Sequence, residues 1–198
     1  MTNSISFYLD FKSPYSYLAF TQLPKLIERH DVKVEYISVN VLDVMKAVKN
    51  SPTTLLSPIK NQYTQDDLRR WAKRYQVPLT INRHFTKFSN DAPARLLLAA
   101  RKMGCETMIL SLLFKAIWVD GENLADQEMI ISYLEKNSVK EASLLLAQSH
   151  GQDVKEQLAK NNLLAIENKI FGVPSFLFNQ NLFFGNDRLD FLEDALAN

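Results

Sequence analysis

An α/β fold carrying a large all-helical insertion is predicted by three observations. An apolar, β-prone run from Ile5 to Asp10 passes straight into a helical pattern opened by Ser13-Pro14, and an alternating run follows at Val32 to Val39. From Asp91 to Asn168 helical periodicity runs almost unbroken, more helix than a crossover within one sheet can use. After Gly172-Val173-Pro174 the pattern changes back to two short apolar runs and a last helix.

The elements follow in chain order. Ser13 is a good N-cap residue and Pro14 suits the first helical position, where a missing N–H costs nothing. Tyr17, Leu18, Leu23, Leu26 and Ile27 carry the helical spacing up to His30, and Pro24 within it predicts a kink. The right-handed crossover rule makes the strands on either side parallel. A short helix is expected over Leu42 to Asn50, a loop over Ser51 to Pro58, and a helix over Thr64 to Tyr75 that stops before Val77-Pro78. Leu79 to Asn90 reads as irregular. Five helices follow, at 92–103, 106–119, 126–137, 140–149 and 152–168, and should pack on one another. Ser175 to Phe178 and Leu182 to Phe184, parted by Asn179-Gln180-Asn181, read as a hairpin, with a helix over Leu189 to Leu196. The order is that of a thioredoxin-like plan. Residues 1–40 and 170–198 are expected to form a discontinuous thioredoxin-like domain, with 41–169 as the inserted helical subdomain.

Bulk composition narrows the function. Of 198 residues, 46% are hydrophobic and 23% charged, which excludes a disordered chain. With 23 basic and 22 acidic residues the formal net charge is +1, so neither nucleic acid nor an anionic membrane surface is an expected partner. No uncharged stretch spans a bilayer, and a cytoplasmic location is expected. Cys105 is the single cysteine, which rules out an internal disulfide and any two-cysteine redox motif. His30, His84 and His150 lack ligand spacing, so no metal site is expected.

Three blocks carry chemistry: DFKSPYSYLA at the start; Lys60, Tyr63, Asp67, Arg70 and Ala72 with Val77-Pro78 after them; and FGVPSF with FFGNDRL at the end. Together, in this order and over essentially the full length, they resemble 2-hydroxychromene-2-carboxylate isomerases and kappa-class glutathione transferases, whose fold is DsbA-like. Trp118 with Asp126 adds a fourth match. Gln76 and Lys169 stand where glycine is expected, and Phe184 where tryptophan is common.

The resemblance implies a glutathione-dependent enzyme. Ser13 and Ser16 occupy the places where related disulfide oxidoreductases carry cysteines, and a hydroxyl cannot cycle between thiol and disulfide. Ser13 is the expected catalytic residue, donating a hydrogen bond to the sulfur of glutathione while the helix start favours its thiolate. Capping the helix is compatible with that role. Val173 and Pro174, in a cis peptide, are expected to offer backbone to the tripeptide as an added strand. Asn186, Asp187 and Arg188 are expected to hold its γ-glutamyl end, although Asp187 equally suits an N-cap. Lys60 and Tyr15 are the expected substrate-binding residues, for a small aromatic carboxylate. Asp67 and Arg70, three apart, also read as a plain surface pair, and Trp118 as core. The implied reaction interconverts 2-hydroxychromene-2-carboxylate and trans-o-hydroxybenzylidenepyruvate, or a related compound. A kappa-like transferase and a noncatalytic thioredoxin-like binding module are the alternatives, and a homodimer is expected.

Overall fold

The structure is a computed structural model that describes residues 4–197. Its chain forms two compact units, residues 1–77 with 162–198 and residues 78–161.

The first unit is built on a four-stranded sheet in the order β2-β1-β3-β4. Strand β1 (Ser4–Leu9) runs parallel to β2 (Lys33–Ser38), pairing Phe7 with Tyr36, as a crossover through helices requires. Strand β3 (Ser175–Phe178) lies antiparallel to β1, and β4 (Asn181–Phe184) closes the hairpin. The hairpin turn is Asn179-Gln180, both at positive φ, which matches strand twist in a two-residue turn.

Because β1 is central, both its faces are covered, and the two-residue period sends Phe7 and Tyr8 to opposite sides. Phe7 stacks on Phe176 at 4.7 Å and meets the edge of Tyr36. Tyr8 lies in a cluster with Ile37, Val39, Val44, Ala165 and Ile170.

The helical pattern after Ser13 is two helices, α1 (Pro14–Phe20) and α2 (Leu23–His30), so the expected kink is a full break at Thr21-Gln22. Pro24 sits in the first turn of α2, where its missing N–H breaks no bond. Helix α3 is Val41–Ala47. The expected loop at 51–58 contains a one-turn helix, α4 (Thr53–Leu56), and α5 runs from Pro58 to Tyr75, six residues earlier than expected at its start. Ser57-Pro58 opens α5 as Ser13-Pro14 opens α1, with the serine oxygen accepting from the third N–H onward (Lys60 N, 3.4 Å).

These helices explain why the first unit reaches residue 77 rather than ending at residue 40. Helix α5 packs against α1, and hydrogen bonds fasten Tyr15 to Asp67 and Tyr75 to Asn186. At its other end the unit resumes at residue 162 instead of 170, since Ala165 and Ile166 pack on the sheet cluster.

The second unit holds α6 (Asp91–Lys102), α7 (Glu106–Lys115), a π-helical segment (Ala116–Asp120), α8 (Gln127–Lys136), α9 (Ala142–Ser149) and the first part of α10 (Gln152–Glu167). Helix α6 packs against α7 and α9, and Ala94 and Leu98 meet Val154 and Leu158. Residues 79–90 are without regular structure, as expected. Asp126 caps α8 by accepting from Glu128 N at 3.0 Å and Met129 N at 3.2 Å. Trp118 is buried against Phe85, ring centres 5.6 Å apart, in keeping with a core role.

Candidate functional site

The register of the sheet brings the end blocks of the sequence together within the first unit. Tyr8 pairs with Ser175, so antiparallel pairing sets Val173-Pro174 just beyond the end of β1, where the chain turns through Asp10 to Ser13. Ser175 in turn pairs with Phe184, and Gly185 donates its N–H to the Pro174 carbonyl at 2.9 Å. The 3₁₀ turn Asn186–Arg188 therefore leaves β4 at that same end, and it packs on α1 before α11 (Leu189–Ala197) begins. Ser13, Val173, Pro174, Asn186, Asp187 and Arg188 thus share one end of the sheet.

The turn after β1 is held by Asp10, a buried residue that the sequence reading passed over. Its carboxylate accepts from Lys12 N at 2.8 Å and Val41 N at 3.0 Å, while its carbonyl accepts from Ser13 N at 2.9 Å. An aspartate accepting from the N–H two residues on is an ordinary Asx turn, so its place directly after a strand was the available signal. Burial pushes the Lys12 amine down, and the Asp10 charge works against that.

Ser13 is half-buried at the N-cap of α1, and its oxygen accepts from Ser16 N at 3.2 Å. A hydroxyl that accepts still has its proton to give. Pro14 has no N–H and the Ser16 N–H is spent on Ser13, which leaves the Tyr15 N–H without a protein acceptor among the described residues. Ser16 is different. It is completely buried, and its oxygen has no hydrogen-bond partner.

The Val173–Pro174 peptide is cis, as expected. Among the described residues no hydrogen bond engages the half-buried Val173 backbone, so its N–H and carbonyl are open to a bound peptide. The loop before it is tied down twice: Asn50 Nδ2 donates to the Phe171 carbonyl at 2.7 Å, and Ser175 Oγ donates to the Gly172 carbonyl at 2.8 Å. A Cβ on Gly172 would lie 2.7 Å from the Phe184 ring, so a larger residue here needs that ring to shift.

Within the 3₁₀ turn, Asn186 is buried and its carbonyl accepts from Tyr75 Oη at 2.9 Å. Burial pushes the Tyr75 hydroxyl pKa up, keeping it a proton donor. Asp187 and Arg188 stay half-exposed and pair with each other at 3.0 Å. They present one anionic and one cationic group side by side.

Lys60 and Tyr15 line one cavity of about 540 Å³ with Thr53, Thr54, Ile59 and Tyr63. Since Tyr15 lies two residues from Ser13, this cavity adjoins the start of α1. No ion pair engages Lys60 among the described residues, so its charge faces the opening unbalanced. Asp67 is not the partner of Arg70. It accepts from Tyr15 Oη at 2.8 Å, Arg70 lies over the Tyr63 ring, and the surface pair on this helix is Asp66–Arg69. Burial first, then the Asp67 carboxylate, pushes the Tyr15 pKa well above its ordinary value. Tyr17 and Phe88 are buried, Tyr17 in the first unit and Phe88 in the second.

Comparison with known proteins agrees with this fold. The model of the DSBA-like thioredoxin domain matches residues 4–197. A 2-hydroxychromene-2-carboxylate isomerase from Sphingobium xenophagum is 32% identical over 197 residues, which covers 99% of this chain and 99% of that protein. Glutathione S-transferase kappa 1 from Caenorhabditis elegans is 26% identical, over 97% of this chain and 90% of the relative. A solved 2-hydroxychromene-2-carboxylate isomerase structure matches with a TM-score of 0.83 at 27% identity, covering 98% of this chain and 94% of that one. A sheet end built from a Ser-Pro helix start, a cis-proline loop and an Asn-Asp-Arg turn, together with full-length similarity, gives one answer: the chain belongs to the DSBA-like thioredoxin family, in the group of 2-hydroxychromene-2-carboxylate isomerases and kappa-class glutathione transferases.

Proposed function

We propose that this protein is a glutathione-dependent isomerase acting on 2-hydroxychromene-2-carboxylate and trans-o-hydroxybenzylidenepyruvate or a closely related aromatic carboxylate. The observation that carries the reading is the meeting of Ser13, Val173-Pro174 and Asn186–Arg188 at one end of the sheet. The groups left open there suit the tripeptide. Val173 offers an unpaired N–H and carbonyl to its backbone, while Asp187 and Arg188 supply the acceptor and donor that the γ-glutamyl ammonium and carboxylate require. Asn186 acts through its place in the turn, fixed by Tyr75.

When bound, glutathione would supply a thiolate nucleophile able to add to a conjugated carbon, allow rotation about the resulting single bond, and leave again as the same thiolate when the double bond re-forms. The chain's own residues do the rest. The Ser13 O–H and Tyr15 N–H point donors toward the start of α1, which favours an anionic over a neutral sulfur. Lys60 attracts the substrate carboxylate, and Ile59, Tyr63 and the Tyr15 ring shield its hydrocarbon part from water. Asp67 fixes the Tyr15 ring by taking its hydroxyl proton as a hydrogen bond.

The test is a spectrophotometric chromene isomerisation assay with and without glutathione. Turnover should require glutathione, and a rate independent of it would reject the reading. The kappa-class relatives favour a second reading, conjugation to an electrophile at this same site. A stable thioether product with no isomerisation would establish that alternative.

A further inference from the structure

The second unit contains a cavity of about 260 Å³ that none of the chemistry above uses. Its walls come from residues 87–96, from the start of α8 and from the end of α9. Phe88, Leu96, Leu124, Ile130 and Leu146 supply apolar lining. Lys87, Arg95 and His150 line it as well, and no carboxylate is among its lining residues. The Arg95 Nε is buried without a hydrogen-bond partner, and no ion pair engages Arg95 or Lys87 among the described residues. Among the described residues the His150 ring meets Gln127 alone, at 3.5 Å.

A buried guanidinium N–H without an acceptor is costly, because its lost hydration has not been replaced. A planar carboxylate replaces it best, since its two oxygens match the fork of Nε and Nη. The apolar lining residues then ask for a hydrocarbon body beside that carboxylate. The volume lies just under the roughly 300–1,000 Å³ of sites for drug-sized ligands, so the occupant is small. From this geometry we infer that the helical unit carries its own binding site for a small amphipathic monocarboxylate, aromatic or branched aliphatic. Arg95 takes the carboxylate, Lys87 adds long-range attraction, and Phe88, Leu96 and Leu146 hold the hydrocarbon. This site stands on Arg95 and its cavity alone and does not depend on the glutathione reading.

The experiment titrates benzoate into the isotope-labelled full chain without glutathione, following backbone amide shifts. Benzyl alcohol and inorganic phosphate serve as comparison probes. Saturable shifts are expected at Phe88, Leu96, Leu124 and Ser149, with affinity at least tenfold weaker for either comparison probe. Arg95→Gln should weaken benzoate at least tenfold with the thermal midpoint kept. Arg95→Lys, which keeps the charge but loses the fork, should fall between, and it replaces Arg95→Gln if that variant does not fold. Shifts confined to residues 53–64 would overturn the inference by assigning benzoate to the Lys60 cavity. Undiminished affinity in the Arg95 variants, or equal binding of benzyl alcohol or phosphate, would overturn it too.

Discussion

Ser13 and Ser16 stand three residues apart in one helical turn, yet their hydroxyls meet opposite surroundings. Ser13 caps α1 and keeps a proton to donate, whereas the Ser16 hydroxyl is fully buried with no hydrogen-bond partner among the described residues. Ser13→Ala should lower glutathione-dependent isomerisation at least tenfold, the equivalent of about 1.4 kcal/mol or more in the barrier, and cost about 1 kcal/mol of stability as a lost cap. Ser16→Ala removes an unsatisfied polar atom, so urea unfolding should show unchanged or increased stability, with turnover kept. A drop in turnover for Ser16→Ala alone would reverse the two assignments. Gln76 and Lys169 illustrate a different local rule. Both adopt left-handed backbone, φ 56° and 59°, which accounts for the glycines expected there. Gln76→Gly and Lys169→Gly should each raise stability, by up to about 1 kcal/mol, because relief of αL strain outweighs the entropy that glycine loses. The burial of Ser16 was beyond reach from the sequence, since a Ser-Pro-Tyr-Ser string looks the same whichever way its second hydroxyl faces.

The loop from Phe171 to Pro174 is constrained by its neighbours. Asn50 and Ser175 hold its carbonyls, and the Phe184 ring of β4 lies over Gly172. Gly172→Ala should push that ring aside and, because Phe184 is partly exposed, destabilise the protein by no more than about 1 kcal/mol, measured by urea unfolding. Adding Phe184→Leu should recover part of the loss, because the smaller side chain leaves room for the new methyl; no recovery would show that the backbone is what resists. Helix boundaries were less legible than helix existence. Apolar spacing indicated α6 to α10, while α4 and the first turns of α5 went unseen because Ser51 to Pro58 is dense in serine, threonine and proline. Ser57-Pro58 is itself a helix-start signal of the kind read correctly at Ser13-Pro14.

Across the whole molecule, tyrosines mark where polar groups are held inside. Burial raises the pKa of Tyr8, Tyr15, Tyr17, Tyr75 and Tyr133, five of the 7 tyrosines. Tyr15 and Tyr133 are raised furthest, each donating to a carboxylate, Asp67 and Asp120. An acid whose folded pKa lies above its unfolded one stabilises the fold fully below the unfolded value, near pH 10, and loses that contribution as pH climbs beyond it. Stability should therefore be flat in this respect up to about pH 10 and fall above it. The tyrosinate absorbance of these five should rise together with loss of ellipticity; ionisation of more than two of the 7 tyrosines well before any loss would contradict the buried donors. In both units, then, ionisation of these buried tyrosines should be coupled to unfolding. The order of strands and helices, the parallel opening pair, the closing hairpin and the Ser13 cap were all readable in the chain, because periodicity, turn residues and capping residues act over a few neighbours. Membership of α3 to α5 in the sheet unit, the Tyr15–Asp67 and Tyr75–Asn186 bonds, and the unpartnered guanidinium of Arg95 were decided by the folded structure alone. Each joins or isolates residues according to burial and contacts between elements, and local sequence carries no record of which surfaces meet.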